Sequence, residues 1–254
     1  MVAGLLFMDL VWAGGLFGLT YLSATTALAA ASCCSGAIAI ALAVTVALLT
    51  WIGACAIILF ALPKPRPGTY RMMQGGSFYA WAFGFIARRW IDLPPMGILY
   101  RQSALLRFIV LRAAGARVAF DAQISSDAVL LDPGLFVMES GALLGSQATV
   151  AGHFIVGDRL TLAPVIIHAG AQVAIDVIIG PGVTIGKNAV IEGRASIGPN
   201  STIGDDAQLG AQVLTGRAVV IGNGARVPMA SVVPAKTHIA AGVTWSPTSS
   251  QDVS

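Results

Sequence analysis

The sequence predicts a mainly β chain: a parallel β-helix of about seven coils, preceded by a two-helix transmembrane hairpin and interfacial helices. Three observations carry this reading. A six-residue repeat fills the second half of the chain, two uncharged apolar stretches fill the first quarter, and basic residues crowd into the segment between them.

The repeat is plainest from Ile167 onward. Steps of six meet Ile167, Val173, Ile179, Ile185, Ile191, Ile197, Ile203, Leu209, Thr215, Ile221, Val227, Val233 and Ile239, twelve aliphatics and one Thr. A small or β-branched residue stands two places earlier, as at Ala171, Val177, Val183, Ala189 and Ala195, and a glycine often follows, as at Gly180, Gly186, Gly198 and Gly204. A period of six suits neither an amphipathic helix nor a simple alternating strand. It is the signature of a triangular coil, in which each hexad is one short strand plus one corner and three hexads close a turn. The large aliphatic fills the interior, and glycine is expected to ease the corner backbone. Two earlier runs extend the pattern: Val118, Ile124, Leu130 and Phe136, then Leu144, Val150, Val156 and Leu162. The step between them is eight, and the step from Leu162 to Ile167 is five, so the register breaks twice. Together the runs give 21 hexads, with Val156, Val173, Ile191 and Leu209 expected to stack. At a strand spacing of about 4.8 Å, seven coils stand roughly 30 Å tall.

The chain is 56% hydrophobic and only 11% charged, against about 25% charged in ordinary proteins. Residues 1–120 hold nine Lys or Arg and two acids; residues 121–254 hold six Lys or Arg and ten acids. Because the basic half is also the apolar half, the expected partner is anionic membrane lipid, and no motif for nucleic acid accompanies it. Residues 36–62 form an uncharged run of 27 residues, and residues 10–32 another of 23, where about 20 suffice to span a bilayer. A cleaved signal peptide would carry Lys or Arg ahead of its apolar run, and none precedes residue 10. Gly14 and Gly18 form a small-xxx-small pair suited to close helix approach. Lys64, Arg66, Arg71, Arg88 and Arg89 follow the second run, which places the β-helix on the cytoplasmic side. Cys33, Cys34 and Cys55 show no disulfide or metal spacing.

Four domains are therefore expected: a transmembrane hairpin over 1–62, basic interfacial and connecting helices over 63–115, the β-helix over 116–242, and a disordered or loosely packed tail over 243–254. Phe78, Tyr79, Trp81, Phe83, Phe85 and Trp90, beside Arg88 and Arg89, suit a helix in the membrane interface. A further helix is expected from Met96 to Ala114.

Of the histidines His153, His168 and His238, His153 falls at a corner between the two register breaks, with Asp132 and Glu139 in the region of the eight-residue step. The stretch Ala148-Thr149-Val150-Ala151-Gly152-His153, followed by Gly157-Asp158-Arg159, resembles the histidine-bearing corner of hexapeptide-repeat acyltransferases. Pro181-Gly182-Val183-Thr184-Ile185-Gly186 resembles a tract of the same family. Ala87-Arg88-Arg89-Trp90 and Leu111-Arg112-Ala113-Ala114-Gly115-Ala116-Arg117 are similar to a membrane-bound subgroup, the C-terminal modules of polylysine-type nonribosomal peptide synthetases. Gly152 stands where the resemblance expects a polar or β-branched residue, and the end of the repeat reads Gly242-Val243-Thr244-Trp245 in place of a Gly-Asn-Pro-like ending.

The resemblance implies a left-handed β-helix, packed as a homotrimer, that moves an acyl group from acetyl-CoA or another acyl thioester to a hydroxyl or amine. It implies His153 as general base, a task its near-neutral imidazole suits, with Asp132, Glu139 or Asp158 to orient it. It implies a thioester donor, on CoA or on an acyl carrier, running along a prism edge past Ala174, Glu192, Gly193 and Gly210, with Arg194 or Lys236 for a CoA phosphate. The acceptor is a small molecule, a glycan or a peptide, and no metal is expected. Two other functions fit the fold. A zinc enzyme of the carbonic anhydrase kind needs three converging histidines, whereas His238 lies about four coils above His168, roughly 20 Å away at the strand spacing. A non-enzymatic membrane-anchored scaffold needs no corner histidine.

Overall fold

A computed structural model describes residues 2–246. The chain divides into two compact units: residues 1–64 with 72–115, and residues 65–71 with 116 onward.

The first unit is helical. Helix α1 (Val2–Ala31) and helix α2 (Gly36–Ala61) are joined by a tight turn. By length and composition, residues Leu10–Ala31 and Gly36–Ala61 could each cross a membrane. Helix α3 (Gly76–Ile91), helix α4 (Met96–Gln102) and helix α5 (Ala104–Ala113) complete it. The single helix expected from Met96 to Ala114 is two, because Ser103 is extended and its hydroxyl caps α5 at the Leu106 amide. The core joins Trp51, Ile52, Cys55 and Leu59 of α2 to Ile86, Trp90 and Ile91 of α3, with Tyr100 and Val110. Two indole N–H groups pin it: Trp51 donates to the Trp90 carbonyl at 3.1 Å, and Trp90 to the Trp12 carbonyl at 3.0 Å. Close approach of α1 falls at Gly15, where a Cβ would lie 2.1 Å from the Trp90 ring, while nothing stands within 4 Å of Gly14 or Gly18. The small-residue contact is thus one residue away from the expected pair. Lys64 donates to the carbonyls of Leu59 and Ala113, satisfying the C-terminal ends of α2 and α5 together.

The second unit is the β-helix. Its rungs are mostly two residues long and form three parallel sheets of seven, six and six strands. The last residue of each rung points inward. The first sheet contributes Val118, Met138, Ile167, Ile185, Ile203, Ile221 and Ile239; the second Ile124, Leu144, Val173, Ile191, Leu209 and Val227; the third Leu130, Val150, Ile179, Ile197, Thr215 and Val233, all buried. The lone interior Thr215 is satisfied because its hydroxyl accepts from the Gly198 amide at 2.9 Å.

The expected seven-coil parallel β-helix is present, with two local corrections. Val156 and Leu162 are not hexad positions. They belong to an antiparallel hairpin, His153–Val156 with Arg159–Leu162, that leaves the coil. Val156 is 67% exposed, and the residue stacked beneath Val173 is Leu144. Phe136 is buried but opens its rung opposite Val165, and the residue in the Ile167 column is Met138. The post-rung glycines have a different reason from the expected one. Their φ values are ordinary, but a Cβ on Gly186 would stand 2.6 Å from the Asp205 amide, and one on Gly216 2.5 Å from the Ala235 amide. They permit coils to stack. The left-handed backbone falls two residues later, on Asn188, Asn200, Asp206 and Ala218 among others. There the strained residue's N–H reaches the coil below, as Asp206 does to the Lys187 carbonyl at 2.8 Å.

The expected tail lies mostly outside the described residues, at 247–254. Its first residues instead continue the coil: Thr244 bridges Arg226, and Trp245 is buried.

Candidate active site

Both register breaks fall after rungs of the third sheet, on one column of corners. After Leu130 the chain inserts Asp132 and a short 3-10 turn, Pro133–Leu135. One coil higher, after Val150, it inserts the hairpin that begins at His153. The two insertions therefore stack, and residues from consecutive coils meet.

His153 Nδ1 lies 2.6 Å from Asp132 Oδ2, and the Gly152 amide donates to the same oxygen at 2.8 Å. The aspartate side chain is only 2% exposed and the histidine 18%. A buried carboxylate accepts, so the neutral ring carries its proton on Nδ1 and leaves Nε2 as the basic nitrogen. The backbone is held on both sides, since His153 pairs with Leu162 and the Ala163 amide donates to the Gly152 carbonyl at 2.8 Å. Gly152 has a physical reason as well. A Cβ there would lie 2.9 Å from Leu135 Cβ and 3.0 Å from Asp132 Cβ, so a larger residue would drive the aspartate from its place.

The hairpin has a third strand. Gly68–Arg71 pairs antiparallel with Arg159–Leu162, the Thr69 and Thr161 hydroxyls lie 3.1 Å apart, and Arg71 Nε meets Asp158 Oδ2 at 3.1 Å.

Of the three acids expected near His153, only Asp132 is there. Asp158 occupies the hairpin turn, exposed and paired with Arg71. Glu139 sits at the corner after the first sheet, where its Oε2 lies 3.1 Å from His168 Nδ1 and accepts from the Ala169 amide at 3.1 Å. The His168 contact, opposed by partial burial and aided by that amide, holds the Glu139 carboxyl below its ordinary range. Sequence reasoning missed this second histidine–carboxylate pair.

Ala174, Glu192 and Gly210 follow rungs of the second sheet and stack at one corner, with Gly193 and Arg194 completing its turn. The amides of Ala174, Glu192 and Gly210 donate to the carbonyls of Ile191, Leu209 and Val227, so these donors are used within the coil. Glu192 accepts from the Ala211 amide at 2.9 Å. Arg194 is exposed, 3.9 Å from Asp176. Lys236 lies on the column of corners that carries Gly152 and His153, several coils higher. Among the described residues, no three His, Cys, Asp or Glu side chains gather as a metal site would require.

No family model and no curated protein matches the chain. Solved structures similar to it include the acetyltransferase domain of PglB from Neisseria gonorrhoeae in complex with acetyl coenzyme A. That likeness is 18% identical over 57% of this chain and 65% of that one, with a TM-score of 0.31. A variant of perosamine N-acetyltransferase from Caulobacter crescentus, in complex with CoA and GDP-perosamine, is 18% identical over 58% and 60%, with a TM-score of 0.33. Serine acetyltransferase from Neisseria gonorrhoeae, in complex with serine, is 17% identical over 85% and 80%, with a TM-score of 0.27. The chain spans less than two thirds of the length of the first two. The rungs and stacked corners of this chain establish its fold directly: it is a hexapeptide-repeat parallel β-helix.

Proposed function

We propose that the protein is a membrane-anchored acyltransferase that moves an acyl group, acetyl in the simplest case, from a thioester to a hydroxyl or amine acceptor. The observation that carries this reading is the buried His153–Asp132 pair at two stacked insertions. Nε2 of His153 takes the proton of the acceptor as its oxygen or nitrogen attacks the thioester carbonyl. The carbon–sulfur bond then breaks, and the imidazolium returns the proton to the departing thiolate, so that acylated acceptor and free thiol leave. Asp132 keeps the ring in the productive tautomer and stabilises its charged form. The donor is a substrate here, acetyl-CoA or a carrier-bound thioester. The corner of Ala174, Glu192, Gly193, Arg194 and Gly210 is our candidate for holding it, and Lys236 is a second cation for a CoA phosphate.

Assembly as a homotrimer is part of the proposal. Its support is the third sheet, whose outward residues Ile178, Leu214 and Val232 are apolar and exposed, a face that a second copy would cover. Membrane anchoring rests on α1 and α2, and a cytoplasmic β-helix on the basic residues after α2. The deciding experiment follows thiol release from acetyl-CoA by the purified full chain with hydroxyl and amine acceptors. The expected result is acceptor-dependent release that disappears in His153→Ala. Transfer at the wild-type rate in that variant would refute the base assignment and favour the scaffold reading.

A further inference from the structure

Helices α3, α4 and α5 bring three arginines together, two of them on one carboxylate. Asp92 accepts from the Tyr100 hydroxyl at 2.7 Å and from Arg101 Nη2 at 2.8 Å, with Arg88 Nε 3.6 Å away. Burial raises the Asp92 carboxyl, but Arg88, Arg101 and Tyr100 outweigh it and hold the group below its ordinary range, so it stays ionised. Arg107 completes the group by donating from Nη1 to the Arg101 carbonyl at 3.1 Å. Burial pushes its guanidinium down, and Tyr100 opposes that shift.

Two guanidinium groups thus face one carboxylate, and a third lies beside them on the Arg101 carbonyl. The Arg88 side chain is only 16% exposed, and its Nη1 is buried without a hydrogen-bond partner. Burying an unmatched guanidinium donor is costly, and the surplus positive charge of the group favours an anion with several acceptor oxygens. Phosphate fits the planar fork of arginine best, taking two parallel bonds from one side chain. The surface of the same short helices is apolar: Ile98 of α4 and Leu105 and Ile109 of α5 are all exposed. A free phosphate has no use for such neighbours, whereas a lipid meets both, with its phosphate on the cations and its chains on the aliphatics.

We infer that Arg101 and Arg107, beside the Arg88–Asp92 pair, form a binding site for the phosphate of an anionic membrane lipid. The site rests on the membrane reading above, is independent of the acyl-transfer reading, and gives the helical unit a specific ligand in place of a general affinity for negative surfaces.

The test uses the full chain in mild detergent, titrated with phosphatidylglycerol, phosphatidylcholine or inorganic phosphate and read by native mass spectrometry. The expected result is saturable retention of phosphatidylglycerol, at least about tenfold stronger than that of phosphatidylcholine. That preference should fall by about tenfold in Arg107→Gln, and further in Arg101→Gln/Arg107→Gln, with unchanged helical circular dichroism. Arg217→Gln, an exposed arginine of the β-helix, should behave as wild type. Equal retention of the two lipids, or a wild-type preference in a folded Arg107→Gln, would overturn the site. Inorganic phosphate binding as strongly as the lipid would overturn the lipid as its source. Failure of the membrane reading shows separately, as release of the chain from washed membranes without detergent.

Discussion

The two histidine–carboxylate pairs of the β-helix are alike on paper and differ in their surroundings. In each, a carboxylate from one coil meets the Nδ1 of a histidine one coil higher. At His153 the distance is 2.6 Å and the acid is 2% exposed; at His168 it is 3.1 Å and the acid is 41% exposed. The difference comes from the chain on either side. Asp132 is shut in by the 3-10 turn and by Gly152, which has no side chain to displace it. Glu139 and His168 stand on an uninterrupted corner that faces water. The contrast teaches that an insertion matters less for adding residues than for enclosing those already there. Only the enclosed pair holds its histidine in one orientation without competition from solvent.

Several substitutions would break or sharpen this contrast. Removing the proposed base in His153→Ala should lower kcat for acyl transfer by about 10²–10⁴-fold, while His168→Ala, at a corner outside the proposed site, stays within about threefold. Equal losses in steady-state assays would erase the distinction. Asp132→Asn keeps the shape but offers no charge and lets the ring turn over. We expect a loss of about tenfold or more in kcat with KM for the thioester unchanged, and about 1–3 kcal/mol of stability; Glu139→Gln should do neither. Gly152→Ala tests enclosure itself: pushing Leu135 and Asp132 aside should cost about 1–3 kcal/mol, measured by denaturant unfolding, and should lower kcat less than Asp132→Asn does.

The smallest effect concerns pH. The Glu139 carboxyl is depressed in the folded chain, so its contribution is present above the unfolded value and disappears as pH falls through the lower folded one. Being open to solvent, the pair should contribute under about 1 kcal/mol. The gap in unfolding midpoint between wild type and Glu139→Gln should therefore shrink on acidification and with added salt. A gap that widens toward acid would contradict the assignment.

Much of the β-helix was legible because a large aliphatic recurs every six residues from Ile167 to Ile239, with Thr215 the one exception. The same rule misled at Val156 and Leu162. Six is a multiple of two, so an ordinary alternating strand can place aliphatics six apart as a hexad does. Leu162 is indeed buried, though in the hairpin. His153 was legible from its place between breaks, whereas its partner was not. Asp132, Glu139 and Asp158 look alike in sequence, and only the stacking of two insertions separates them. Gly152, which looked like a departure from the acyltransferase pattern, is what admits the aspartate. The arginine cluster was visible only as basic composition, because its members converge from three helices that no periodicity ties together.

The strand Gly68–Arg71 carries a consequence for the order of events during synthesis. Thr69 and Thr161 face each other across a separation of 92 residues, and closing so long a loop costs about 4 kcal/mol on the (3/2)RT ln n scale. The strand leaves the ribosome long before its partner exists. Until Arg159–Leu162 has been made, its backbone amides and carbonyls have only water or a wrong neighbour to bond. The candidate catalytic hairpin is in turn completed by a segment made before any coil of the β-helix. A nascent chain can therefore stack its first coils early, yet the part that holds His153 is finished only by reaching back to what was made first.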